Sequence, residues 1–89
     1  MEYEWNDDKD VLLRKKYGIG FADCVSAVHA GNLLADLEHP NRERYPRQRI
    51  MILMIDEYAW DVPYVRNGDR MFLKTLFPNR KHTARYLLI

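Results

Sequence analysis

The residues with the greatest chemical capacity gather near the end of the chain: Lys74, Arg80, Lys81, His82, Arg85 and Tyr86. No acid follows Asp69 in the 89-residue sequence, so these cations add rather than cancel. Arg85 lies four residues after Lys81, which puts the two on one face of a helix. Several cations and a phenol suit a phosphate chain. If that chain is RNA, cleavage needs no nucleophile from the protein, because the ribose 2′-hydroxyl can attack the neighbouring phosphorus itself. The protein must then place cations where the phosphorane gains charge and supply a proton acceptor and a donor. Arg80 and Arg85 suit the first task, and Lys81, His82 and Tyr86 are candidates for the second. Ordinary Lys and Tyr pKa values of about 10 make both poor bases at neutral pH, whereas histidine titrates in the right range. The same residues also describe a plain solvated helix face, and both readings stay open at this point.

Other chemistries find little footing. His29, His39 and His82 are scattered, without the close spacing of a zinc site, so no metal is expected. Cys24, the single cysteine, cannot form an internal disulfide and reads as a small core residue on a helix. There is no Gly-rich loop followed by Lys to cradle a nucleotide, and no cofactor is expected. Ser26, the only serine, lacks a nucleophile-elbow context. The net charge of +1 hides an asymmetry: residues 1–40 carry four bases and eight acids, residues 41–89 ten bases and five acids. A basic half of this kind suits a polyanion or an acidic partner. Arg47 and Arg49 extend it, and they join Lys74 and Lys81 as candidate RNA contacts.

These side chains need a scaffold. The length and the 47% hydrophobic content support one small core, hence a single domain over residues 1–89. Tyr3 and Trp5 alternate with Glu2 and Glu4 as in a short strand. Asn6 is placed to cap a helix that begins at Asp7 and Asp8 and closes with Arg14, Lys15, Lys16 and Gly18. A second helix is predicted from Phe21 to about Ala30, with Phe21, Val25 and Val28 on one face. Leu33 to Glu38 alternates as a strand, and His39 to Gln48 reads as an exposed loop. Ile50 to Ile55 is apolar on both faces, as in a central strand. Asp56 and Glu57 mark a turn, Tyr58 to Val65 the next strand, and Asn67-Gly68 a two-residue hairpin. Pro63, without an amide donor, is expected at an edge or a bulge. A last strand spans Arg70 to Phe77. Asn79 then caps a short helix with Ala84, Leu87 and Leu88 inward. The expectation is an α+β fold: a small antiparallel sheet, two N-terminal helices and a short C-terminal helix, the helices covering one face. Arg49 is expected on the same face as the C-terminal cations. The chain opens with acids and its longest apolar run is short, so a soluble cytoplasmic protein without a signal peptide or membrane span is expected.

Tyr3-Glu4-Trp5-Asn6 with Lys9, then Lys16-Tyr17-Gly18-Ile19-Gly20-Phe21-Ala22-Asp23, resembles the opening of BrnT-type toxins. The stretch from Phe72 to Tyr86 is similar in kind to the strand and basic helix that end them. Asn6 stands where the family has Asp, and Tyr17 where it has His. The resemblance implies a RelE-like fold and a metal-independent endoribonuclease, the toxin of a type II toxin–antitoxin pair that inhibits translation by cutting RNA. It implies a DNA-binding, BrnA-like antitoxin as partner, with operator DNA reached only through that antitoxin. Arg80, Arg85 and Tyr86 are the positions it carries over, with Lys74 as an addition. The alternative is a non-catalytic toxin-like module that only binds an antitoxin or nucleic acid.

Overall fold

The first helix, α1 (Asp7–Tyr17), begins and ends where its charges and caps direct. The Asn6 side chain accepts a hydrogen bond from Lys9 N, and Gly18 adopts a left-handed φ of 74° while its N–H reaches Arg14 O. Residues 1–88 are described by a computed structural model. A second helix, α2 (Phe21–His29), follows at once. The two are tied by Asp10, which accepts from Phe21 N at 2.8 Å and from Arg14 Nε at 3.1 Å. Gly20 sits between them because a Cβ there would lie 2.5 Å from the Asp10 and Arg14 side chains.

The strands are β1 (Glu2–Glu4), β2 (Leu33–Glu38), β3 (Gln48–Ile55), β4 (Tyr58–Asn67), β5 (Arg70–Leu73) and β6 (Phe77–Pro78). A third helix, α3 (Arg80–Tyr86), closes the described chain. The sheet order is β1-β5-β4-β3-β2, with β6 on β4. The protein is thus an α+β fold with three helices and a mixed six-stranded sheet among the described residues. The expected antiparallel sheet is corrected at one place: β1 pairs parallel to β5, Tyr3 beside Met71. After β5 the chain runs on to β6 along the same edge of β4, so the outer edge of β5 stays free. The N-terminal segment fills it, with Arg70 3.5 Å from Glu2 and 3.3 Å from Glu4.

The Asp56–Glu57 turn forms as expected, flanked by the pair Ile55 and Tyr58. Both residues take positive φ, 53° and 62°, as a type I′ hairpin requires. The next hairpin is shifted by one residue from expectation. Asn67 pairs with Arg70, so the two-residue turn is Gly68-Asp69, with Gly68 at φ 63° in its first central position. The expected last strand divides into β5 and β6, and Pro63 accounts for the break. Pro63 lies inside β4, opposite Ile50, and its carbonyl accepts from Lys74 N at 2.8 Å. Its nitrogen faces the same side and has no proton to give, so the ladder cannot continue there.

Strand alternation sorts the sheet into two faces. Trp60, Val62, Tyr64, Met51, Leu53, Met71 and Leu73 pack under Leu13 of α1 and Phe21, Cys24 and Ala27 of α2. Burying this set supplies the main apolar stabilisation, and truncating fully buried Phe21 to Ala would cost about 3–5 kcal/mol. Asp61 has the opposite parity and meets α3, so the helices cover both faces rather than one. α3 spans only part of the second face. Phe72 on that face stays 39% exposed. No helix among the described residues is long and apolar enough to cross a membrane.

Candidate functional site

α3 is held to the sheet mainly by hydrogen bonds. Asn79 caps it, its Oδ1 accepting from His82 N at 2.9 Å. Ala59 of β4 donates its N–H to Thr83 Oγ1 at 2.9 Å and accepts from Asn79 N at 2.9 Å. Thr83 Oγ1 in turn donates to Asn79 O. Thr83 is buried, whereas Ala84 is exposed and Leu88 is 69% exposed. The expected apolar inner side of Ala84 and Leu88 is therefore replaced by a polar one. The reason is that the sheet offers this helix a backbone and a carboxylate.

That carboxylate is Asp61, which is 3% exposed. Its Oδ1 lies 2.7 Å from His82 Nδ1, and its Oδ2 accepts from Asn79 Nδ2 at 3.0 Å. An ionised carboxylate only accepts, so Nδ1 is the donor in this contact and Nε2 is the ring nitrogen left for a substrate. A buried acid thus fixes both the tautomer and the orientation of a half-buried histidine, an arrangement suited to general acid–base work. The Tyr86 ring meets the His82 ring edge-on with centroids 5.9 Å apart, and Arg85 Cζ lies 5.7 Å from the Tyr86 ring centre. Arg80, Lys81 and Arg85 are exposed, and none has a carboxylate within 4.0 Å among the described residues. The helix therefore combines an oriented histidine, a phenol and three exposed cations.

Lys74 follows β5 on the face opposite Leu73, with its Nζ 5.8 Å from the centre of the Phe72 ring. It lies on the same face as Asp61. Arg49 does not. It pairs with Tyr64 in the β3–β4 register and shares the α1/α2 face, which corrects the expectation that it joins the C-terminal cations. Its Nε donates to Asp36 Oδ1 at 3.0 Å and its Nη2 to Asp36 O at 3.1 Å. Hydrogen bonding to Asp36 raises its pKa further above the ordinary value, so its charge is held and answered. Arg47 is exposed in the turn before β3, at the end of that strand remote from α3.

Cys24 is fully buried, and burial pushes its thiol up to about 12, so no thiolate is offered. No three His, Cys, Asp or Glu side chains converge as a metal site among the described residues. Sequence reasoning missed Asp61. Its signal was present: it is the one charge between Tyr58 and Val65, flanked by apolar residues, at the parity opposite Trp60, Val62 and Tyr64. An acid inside a long strand needs a buried partner. No protein-family model, curated protein or solved structure matches the chain.

Proposed function

We propose that this chain is a metal-independent endoribonuclease, the BrnT-like toxin of a type II toxin–antitoxin pair, with a RelE-like fold and its catalytic centre at His82. The observation that carries the reading is the 2.7 Å contact between His82 Nδ1 and the buried Asp61 carboxylate, beside cations that no acid answers among the described residues. His82 Nε2 takes the proton of a ribose 2′-hydroxyl as that oxygen attacks the adjacent phosphorus. Charge gathering on the non-bridging oxygens is met by Arg80 and Arg85. The bond to the 5′-oxygen breaks, and the leaving oxygen takes a proton from the Tyr86 hydroxyl, which water restores. The products are a 2′,3′-cyclic phosphate and a free 5′-hydroxyl. Asp61 is a positioning residue that stabilises the imidazolium formed on the way. The partner is a DNA-binding, BrnA-like antitoxin, whose acidic segment silences the toxin by covering α3; operator DNA is touched only through that antitoxin.

The test is cleavage of a labelled RNA by purified protein in excess chelator, alongside His82→Ala. Cleavage is expected to persist with chelator and to fall by about 10²–10⁴-fold in the variant. Undiminished cleavage by His82→Ala overturns the mechanism. RNA binding without cleavage by the unaltered chain would instead make it the non-catalytic module, a reading favoured by the structural work that the same polar network does in holding α3.

A further inference from the structure

We infer that the open sheet face beside Phe72 is a subsite for one nucleotide of single-stranded RNA, on the same sheet face as the His82 centre; the inference rests on the function proposed above. A cavity of about 380 Å³ lies there, lined by Glu4, Val65, Asn67, Arg70, Phe72 and Lys74. Its volume falls in the range of small-ligand sites. Each part has a use for a nucleotide. The 39% exposed Phe72 ring is a face on which a base can stack. The Lys74 ammonium, 5.8 Å from that ring centre, is placed for the attached phosphate. The Asn67 amide can both donate to and accept from a base edge. Glu4 is the one acid of the lining, and Arg70 holds it at 3.3 Å, which limits its repulsion of a phosphate.

The cavity and the candidate centre share one face of the sheet, related by the register of β4. Asp61, Pro63 and Val65 stand on one face at successive intervals of about 7 Å, two strand residues each. Asp61 holds His82, Pro63 accepts from Lys74 N, and Val65 pairs with Phe72. Asp61 and Pro63 are themselves buried, so a strand of RNA following this register crosses half-buried His82, then exposed Lys74, then the Phe72 ring. The bases must be unpaired, because a base inside a duplex has no free face to offer the ring. The occupant is thus single-stranded RNA rather than a helix.

The experiment measures binding of a fluorescent hexanucleotide with 2′-O-methyl riboses, which cannot be cut, and of the matching duplex. The unaltered chain is expected to prefer the single strand. Phe72→Ala should weaken single-strand binding by about 5- to 150-fold, the range for losing one base–aromatic stack, and Phe72→Trp should restore it. Lys74→Ala should reduce the salt dependence by about one counterion. Unfolding midpoints of the variants separate lost binding from lost folding. Unchanged affinity in both Phe72→Ala and Lys74→Ala overturns the subsite and leaves the His82 cleavage result standing. An equal preference for duplex overturns the single-strand assignment. No binding of either RNA by the unaltered chain overturns the subsite together with the proposed function.

Discussion

Asp36 and Asp61 lie on opposite faces of the same sheet, and each accepts two side-chain hydrogen bonds. Asp36 takes the Tyr64 hydroxyl at 2.7 Å and Arg49 Nε at 3.0 Å. Asp61 takes His82 Nδ1 at 2.7 Å and Asn79 Nδ2 at 3.0 Å. The geometry is nearly the same, but the chemistry is not. Asp36 is exposed and spends itself on a permanent cation, which closes that pair to further use. Asp61 is buried and faces a ring that can gain or lose a proton, while the arginines of α3 meet no acid among the described residues. One aspartate answers a charge, and the other prepares a group to change its charge. This difference, rather than the density of basic residues, separates Arg49 from Arg80 and Arg85 as candidates for chemistry.

The largest expected effect comes from Asp61→Asn. Asn79 cannot turn over because its oxygen caps His82 N, so the new amide keeps its oxygen on Asn79 Nδ2 by turning its NH2 to His82 Nδ1, which must then accept and sends the ring proton to Nε2. A loss of about 2–3 kcal/mol is expected in urea unfolding, together with loss of RNA cleavage. Wild-type cleavage in a folded Asp61→Asn protein would erase the contrast between the two sites. Asp36→Ala should cost only about 1 kcal/mol, because an exposed ion pair is weak and water can reach the Tyr64 hydroxyl. Its cleavage rate should match that of the unaltered chain, while freed Arg49 tightens non-specific RNA binding at low salt. A cleavage loss as large as that of Asp61→Asn would put Asp36 in the site. The smallest effect is an alkaline one. Burial, with help from the Asp36 hydrogen bond, pushes the Tyr64 phenol up to about 12. The unfolded phenol loses its proton from about pH 10 while the folded one keeps it, so stability falls as pH rises between about 10 and 12. Tyr64→Phe should flatten that part of a plot of melting temperature against pH, and an unchanged slope would remove Tyr64 as its source.

Local signals were legible in the sequence, and long-range ones were not. Asn6 and Gly18 marked both ends of α1 because capping depends on neighbours three or four residues away. Asp56-Glu57 marked its turn because the strands on each side were patterned. Asp61 stayed hidden because its partners, Asn79 and His82, come a full strand pair later in the chain. The same distance hid the location of Arg49, whose face is fixed only once β2 and β4 flank β3. Parity alone did place Lys74 opposite Leu73, since alternation needs no distant partner. The inner side of α3 was misjudged because apolar residues were expected to dock it, whereas Thr83 and His82 do so.

The parallel pairing of β1 with β5 has a kinetic consequence. Tyr3 must wait for Met71, its partner near the other end of the chain. Closing a loop of that size costs roughly 4 kcal/mol in chain entropy, and a fold whose contacts span such separations forms slowly. On a ribosome that delivers the N-terminus first, α1 and α2 can associate early, but the edge that receives β1 is made only when β5 emerges. α3, with His82, emerges later still. A chain ending between Leu73 and Asn79 would hold a nearly complete sheet and no oriented histidine, so any activity centred on His82 waits for α3.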